Sequence, residues 1–126
     1  MFRIDPKSAI PVYRQLKKQI QRHIVSGGLA EGDRLPSIRQ MASELRINPN
    51  TVARSYRELE NEGLVVSRKG SGVFVSTGDM DLQKNRMELF NELADEFLAR
   101  AAGLGLDGDE ILELLSGRLR GENDHG

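Results

Sequence analysis

Apolar residues recur every three or four positions in three segments of the first half of the chain, a spacing that is typical of amphipathic helices. The three apolar stripes are Tyr13, Leu16, Ile20 and Ile24, then Ile38, Met41, Ala42 and Leu45, and finally Val52, Tyr56 and Leu59. Gly27 and Gly63 follow the first and the third stripe, and a glycine in such a place commonly ends a helix. The pattern therefore predicts three short helices that each bury one face.

The second and third predicted helices are separated by a proline between two asparagines. A proline costs about 3 kcal/mol in a helix interior, so the second helix cannot continue through Pro49. Ser37 is placed to cap the second helix and Asn48 to cap the third, with Pro49 in the first helical position. The two helices must therefore meet at an angle.

After Gly63, the run "LVVSRKGSGVFVS" replaces the helical spacing by two β-branched stretches around a basic, glycine-rich turn. This pattern predicts a β-hairpin with its tip at residues 68–72. The tip has neither the length nor the spacing of a phosphate-binding P-loop, so a nucleotide site is not expected. Three helices and a hairpin, with a sharp break between the second and third helix, are the layout of a winged helix-turn-helix.

A further amphipathic region follows the hairpin. It predicts a helix over residues 79–102 with an apolar stripe of Leu82, Phe90, Leu93, Phe97, Leu98 and Ala101. After a glycine-rich turn, Asp107 and Glu110 have the spacing of a capping box, which predicts a second helix through Leu115. The last residues, "GENDHG", are polar and are expected to be disordered.

The two C-terminal helices form a predicted αα-hairpin with more apolar residues than it can bury by itself. The simplest expectation is that this hairpin packs against its copy in a second subunit, which would give a two-fold symmetric dimer. The expected dimer contacts are Leu82, Phe90, Leu93, Phe97, Leu98, Ala101, Ile111 and Leu115. Alternatively, the hairpin folds back on the winged domain of its own chain.

Charge divides the chain at Gly78. Residues 1–78 contain 13 Lys and Arg against 7 Asp and Glu, a net charge of +6, whereas residues 79–126 contain 5 against 12, a net charge of −7. A basic first part indicates a polyanionic partner, although two solvated surfaces of opposite sign would give the same count. Together with the element pattern, this division predicts a winged helix-turn-helix DNA-binding domain over residues 1–78 and a helical dimerisation segment over residues 79–126.

Composition argues against several other classes of function. The chain of 126 residues has no cysteine and two histidines, so thiol catalysis and a Cys-rich or His-rich metal site are not expected. The acidic residues of the second part fall on the polar faces of helices, and no nucleophile has a base beside it. No apolar run approaches ~20 residues and no signal-peptide pattern is present, so we expect a cytoplasmic protein without membrane contact, cofactor or enzymatic activity.

The side of the third helix opposite its apolar stripe carries residues that suit DNA. In helix-turn-helix docking, the N-terminal residues of the second helix of the pair reach the base edges in the major groove. Asn50, Thr51 and Arg54 occupy these turns; asparagine suits adenine or phosphate, threonine a phosphate or a thymine methyl group, and arginine guanine. Backbone amides at the helix start, near Asn50 and Thr51, can also bind a phosphate oxygen. Arg57 lies on the same side but could equally pair with nearby acidic residues.

The run "GDRLPSIRQMASELRINPNTVARSYRELENEGLVVSRKGSGVFV" resembles the DNA-binding domain of the GntR superfamily of bacterial transcription regulators. The motifs L-P-S-x-R, N-T-V, Y-R-E-L, E-G-L-V and G-x-G-x-F-V all occur in order at the expected separations. The stretches "IPVYRQL" and "NPNTVARSYRELE" are most similar to the YtrA-like branch, and the resemblance covers residues 8–76.

The resemblance implies DNA contacts at the matching positions of this chain. These positions are Arg34, Ser37, Arg39, Asn48, Asn50, Thr51, Lys69 and Gly70. Where the wider family often has an arginine between the two asparagine positions, this chain has Pro49, so we expect Arg54 to supply the base-reading arginine. YtrA-like proteins similarly carry a short two-helix C-terminal dimerisation segment.

The residues and the resemblance together predict a homodimeric, sequence-specific DNA-binding regulator. It is expected to bind a palindromic double-stranded operator and to repress a nearby operon, which in this family often encodes a membrane transporter. The alternative hypothesis is a winged-helix protein-interaction module without DNA binding, although the polar and basic third helix argues against it. The 48 residues after the winged domain leave little room for an enclosed effector pocket, and the sequence identifies neither an effector nor the operator.

Overall fold

The structure is a computed structural model that describes residues 2–78 and 82–121. In chain order it contains helices α1 (Val12–Ser26), α2 (Ile38–Leu45) and α3 (Pro49–Asn61), strands β1 (Val65–Arg68) and β2 (Gly72–Val75), and helices α4 (Leu82–Gly103) and α5 (Gly108–Arg120). This mainly helical chain with one antiparallel hairpin confirms the predicted fold class. None of the helices in the described part of the chain has the length and apolarity needed to cross a lipid bilayer.

The chain divides into two compact units, Met1–Arg86 and Met87–Gly126. The first unit contains α1 to β2 and the first turn of α4, where the Gln21 side chain donates to Asn85 Oδ1 at 3.1 Å. The second unit contains the rest of α4 and α5. The predicted start of α4 at residues 79–81 and the predicted disordered tail at residues 122–126 lie outside the described residues.

Helices α1, α2 and α3 share one hydrophobic core with the hairpin. The largest fully buried apolar side chains are Leu16, Ile20, Leu35, Met41, Val52, Leu59, Leu64 and Val75. Complete burial of an aliphatic side chain contributes about 1.5–3 kcal/mol, so the core holds α3 firmly against its neighbours. The opposite side of α3 is thereby presented outward.

Helices α2 and α3 each begin at the predicted cap, and the cap of α3 lies in the break between them. The Ser37 hydroxyl accepts from the Gln40 N–H, and the Gln40 side chain accepts from the Ser37 N–H, both at 3.0 Å. Asn48 Oδ1 accepts from the Asn50 N–H at 2.7 Å, with the proline in the first helical position of α3. Between the two caps, Arg46 ends α2 in the left-handed conformation with φ 58°.

The hairpin forms a wing whose outer edge is paired with the segment before α2. Its two strands are antiparallel, with Val65 opposite Val75. The Leu35 N–H donates to the Val73 carbonyl at 2.8 Å, and the Val75 N–H donates to the Asp33 carbonyl at 2.7 Å. Because these bonds occupy the edge of β2, they fix the wing relative to the start of α2.

Helix α5 begins as predicted but is longer. Asp107 Oδ1 accepts from the Glu110 N–H at 2.9 Å and forms the predicted capping box. The prediction was wrong at the other end, because α5 continues past Leu115 to Arg120. Leu119 repeats the apolar spacing four residues after Leu115, and basic residues in the last turn are favourable at a helix C-terminus.

Candidate nucleic-acid interface

The apolar stripe of α3 is buried as predicted, so its polar side faces outward. Asn50, Arg54 and Arg57 are exposed on this side. Within the described residues, Arg57 makes no hydrogen bond or ion pair, so the nearby acids do not hold it. Helix α3 therefore presents one amide and two guanidinium groups along its outer side.

The start of α3 offers side chains rather than free backbone amides. The Asn50 N–H donates to the Asn48 side chain and the Thr51 N–H to the Asn48 carbonyl at 2.9 Å, while Pro49 has no N–H. The amides of Asn50 and Thr51 are therefore not free, and the prediction that they bind a phosphate oxygen is wrong. The exposed Asn50 side chain and the NH2 group of Asn48 are the polar groups that remain available, with Thr51 half-buried beside them.

Arg54 does not extend freely from α3. Its Cζ lies 3.6 Å from the centre of the Tyr13 ring on α1, and its Nε donates to Glu58 Oε2 at 3.4 Å. At this distance the guanidinium stacks on the ring in a cation–π contact. The Arg54 side chain nevertheless remains 55% exposed, so it is restrained without being buried.

Glu58 connects Arg54 to a second cation on α1. The Lys17 ammonium lies 3.1 Å from Glu58 Oε1 and also pairs with the Glu62 carboxylate. The hydrogen bond from Lys17 lowers the pKa of Glu58. Burial lowers the pKa of Lys17, but the hydrogen bonds and charges of Glu62 and Glu58 outweigh burial and raise it. Both groups therefore stay charged at neutral pH and link α1 to α3.

The two predicted contact residues at the start of α2 differ in what they can offer. The Ser37 hydroxyl is half-buried and is used by the helix cap. Arg39, in the first turn of α2, is exposed and makes no hydrogen bond or ion pair with the rest of the described chain. Arg39 is therefore the residue of this pair whose charge is available to a phosphate group.

The wing brings together three of the predicted residues. Arg34 pairs with Phe74 in an isolated β-bridge, and its side chain lies against Gly72. Lys69 and Gly70 form the exposed tip of the hairpin, where Gly70 has φ 79°. The structure thus places Arg34 beside the wing, in the segment that precedes α2 and pairs with β2.

Several residues of this surface were not predicted from the sequence. Tyr13 and Glu58 hold Arg54, while Arg46 is an exposed cation in the turn before α3. Arg68 lies at the base of the wing tip with its Cζ 5.6 Å from the Phe74 ring centre. The spacing of Tyr13 predicts a core position on α1. For Arg68, the adjacent Lys69 is the local feature that indicates a basic wing.

The second unit exposes most of its apolar stripe. Phe90, Leu93, Phe97 and Leu98 of α4 are each at least 45% exposed. Of the other predicted dimer contacts, Ala101 and Ile111 are buried, Leu115 is half-buried, and Leu82 is exposed but belongs to the first unit. Further exposed apolar residues that the prediction missed are Met87, Leu104, Leu112, Leu114 and Leu119.

Comparison with known proteins identifies the family. The family model for bacterial regulatory proteins, gntR family, matches residues 12–75. The HTH-type transcriptional repressor YtrA of Bacillus subtilis is 32% identical over 114 residues, which cover 90% of this chain and 88% of that protein. The solved structure of YtrA from Sulfolobus acidocaldarius, a GntR-family transcription factor, has a TM-score of 0.59 and 32% identity over 98% of this chain and 100% of its own.

A third comparison concerns the winged domain. The DNA-binding domain of AraR, solved in complex with operator ORX1, has a TM-score of 0.53 and 23% identity, and covers 60% of this chain and 100% of its own. This similarity shows a shared fold. The family match spans α1 to β2, and the relatives in the family are transcriptional regulators rather than enzymes. The chain belongs to the GntR family of bacterial transcription regulators, in its YtrA-like branch.

Proposed function

We propose that this protein is a homodimeric repressor that binds a palindromic operator in double-stranded DNA and controls a nearby operon in the cytoplasm. The observation that carries the proposal is the outward side of α3. Its exposed Asn50, Arg54 and Arg57 stand on a helix whose other side is fixed by the core. A rigid helix with an amide and two guanidinium groups suits readout of base edges in the major groove.

Basic side chains on both flanks of α3 support this docking. Arg39 on α2 and Lys69 at the wing tip are exposed, and both can contact phosphate groups on either side of the groove. Arg34 adds a third cation at the wing, next to Gly72. AraR uses a domain of this fold to bind operator DNA, which favours the same use here.

The exposed apolar side of α4 supports the homodimer. A soluble monomer rarely exposes a continuous patch of large apolar side chains, and Phe90, Leu93 and Phe97 lie on one side of a 22-residue helix. Pairing of two copies would cover this patch and present two α3 helices to the two halves of a palindrome. The Bacillus subtilis relative YtrA is a transcriptional repressor, which favours repression over activation here. The transporter operon is proposed from the YtrA-like resemblance.

The test is a selection of genomic DNA fragments by the purified protein at one fixed salt concentration, followed by titration of the recovered site. A palindromic site with salt-dependent affinity is expected. Arg39→Ala should weaken operator binding by about 1–3 kcal/mol. Lys69→Ala should weaken binding to all DNA sequences alike, and should reduce the slope of log affinity against log salt concentration by about 1. Arg118→Ala, an exposed arginine of α5, is the matched control and should bind normally. Absence of any salt-dependent DNA affinity would instead favour a protein-interaction module.

A further inference from the structure

The guanidinium of Arg54 is restrained on one face and on one edge. The Tyr13 ring covers the face, with 3.6 Å between Cζ and the ring centre. Glu58 Oε2 accepts from Nε at 3.4 Å, and Lys17 holds the other oxygen of Glu58 at 3.1 Å. The position of the guanidinium is therefore set by α1 as much as by α3.

This restraint leaves the two η nitrogens of Arg54 available. Within residues 2–78 and 82–121, neither η nitrogen forms a hydrogen bond or ion pair, and the side chain is 55% exposed. The η N–H groups lie in one plane and can donate together to two acceptors. Guanine presents such a pair, O6 and N7, in the major groove.

The backbone of Tyr13, which carries the ring, is itself fixed to α3. The Tyr13 carbonyl accepts from the hydroxyl of the buried Ser55, the residue after Arg54, at 2.7 Å. Helix α1 and helix α3 are thus joined at adjacent positions through backbone and side chain. A side chain that is already ordered loses less conformational entropy on binding than a freely rotating one.

We propose that Tyr13 is a positioning residue for base reading, which stacks on the Arg54 guanidinium and orients its η nitrogens toward a guanine edge of the operator. Tyr13 acts through Arg54 and does not itself read the base. The assignment rests on the proposed function, because it requires a sequence-specific DNA site. It makes a residue of α1, outside the helix-turn-helix pair, a determinant of specificity.

The experiment compares the affinities of full-length variants for the recovered operator and for operators with single G·C base pairs replaced by A·T. Arg54→Ala first identifies the base pair at which discrimination is lost. The affinity ratio is the affinity for the recovered operator divided by the affinity for the operator changed at that base pair. Tyr13→Leu should lower this ratio at least about fivefold, while Tyr13→Phe, which keeps the ring, should preserve it. In the Arg54→Ala background, Tyr13→Leu should have no further effect on the ratio.

The outcomes separate this assignment from the proposed function. A sequence-specific wild-type protein in which Tyr13→Leu keeps the ratio overturns the assignment alone, as does Arg54→Ala with full discrimination at every base pair. An equal loss from Tyr13→Leu in both backgrounds shows direct action of Tyr13 and also overturns it. A wild-type protein that selects no site overturns the proposed function and the assignment together.

A second measurement covers the case in which Tyr13→Leu does not fold. The Arg54 Nε–H signal in the NMR spectrum of the free wild-type protein should show a ring-current shift and slowed exchange with water, because it is stacked and hydrogen-bonded. Both features should persist in Tyr13→Phe. An Arg54 Nε–H signal at an ordinary, rapidly exchanging position in the wild-type protein would overturn the assignment.

Discussion

The Nε atom of Arg34 lies 2.8 Å from the position that a Cβ atom on Gly72 would occupy. Gly72 also has φ 124°, a conformation that side chains rarely adopt. The positive φ requires glycine here, and the end of the flexible Arg34 side chain, which would have to move to admit a Cβ atom, is a second and weaker reason to favour it. The second reason ties the wing to a cation that we propose contacts DNA.

Gly72→Ala is expected to lower the free energy of unfolding by about 1–3 kcal/mol, mainly because φ 124° strains the backbone of a residue with a side chain, with the displacement of Arg34 as a smaller cost. Urea denaturation measures the loss. Arg34→Ala supplies the matched background, because it removes the nearby guanidinium and leaves the φ of Gly72 unchanged. In that background Gly72→Ala should be less destabilising, and equal losses in the two backgrounds would show that Arg34 does not press on the new methyl group.

The bounds of α2 and α3 could be predicted from the sequence because their determinants are local. Ser37 caps its helix through a residue three positions later, and Asn48 through a residue two positions later. The apolar stripes also require only the regular spacing of an α-helix. Short-range chemistry of this kind is visible in the order of residues alone.

The orientation of Arg54 could not be predicted, because it depends on a residue 41 positions earlier in the chain. The spacing of Tyr13 fits a core stripe, and nothing local indicates that its ring would cover a guanidinium. The approach of Arg34 to Gly72 likewise arises from the pairing of the segment before α2 with β2. Tertiary packing decides both relationships.

The position of the segment before α1 could not be predicted from apolar spacing either, because glutamine side chains of α1 hold its backbone. Gln15 accepts from the Asp5 N–H at 2.8 Å and donates to the Asp5 carbonyl at 2.9 Å. Gln19 makes the same pair of bonds with Arg3, at 2.9 and 2.6 Å. Gln15 and Gln19 are one helical turn apart on the same side of α1, so their side-chain amides can reach Asp5 and Arg3, two residues apart in the preceding segment.

Phe97→Glu is expected to convert the proposed dimer into a monomer, because a carboxylate in an apolar interface cannot be hydrated or paired. Sedimentation equilibrium of the full chain measures the change. Ala99→Glu adds the same charge to the opposite side of α4 and should leave the dimer intact. A wild-type chain that is monomeric at micromolar concentration, or a dimeric Phe97→Glu variant, would contradict the homodimer.

Acid is expected to weaken the link between α1 and α3. The Lys17 hydrogen bond lowers the pKa of Glu58 below its ordinary value of 4.5, so the pair stabilises the fold above that pH and loses its contribution as the pH falls through the folded value. Between pH 7 and pH 3, the wild-type chain should lose about 0.5 kcal/mol more than Glu58→Gln in urea denaturation. In a Lys17→Met background this difference should shrink, and a persistent difference would assign the effect to another partner.

Arg46→Gly is expected to stabilise the fold. Arg46 is the one non-glycine residue with positive φ, 58°, in the described part of the chain, and a left-handed conformation costs a side-chain-bearing residue about 1 kcal/mol or more. Arg46→Ala is the matched control, because it removes the same charge from the end of α2 but keeps the Cβ atom that causes the strain. The glycine variant should therefore unfold at a higher urea concentration than the alanine variant, by a free energy of about 1 kcal/mol. Equal stability of the two variants would show that the turn before α3 relaxes to negative φ in solution, and that the angle between α2 and α3 does not depend on this residue.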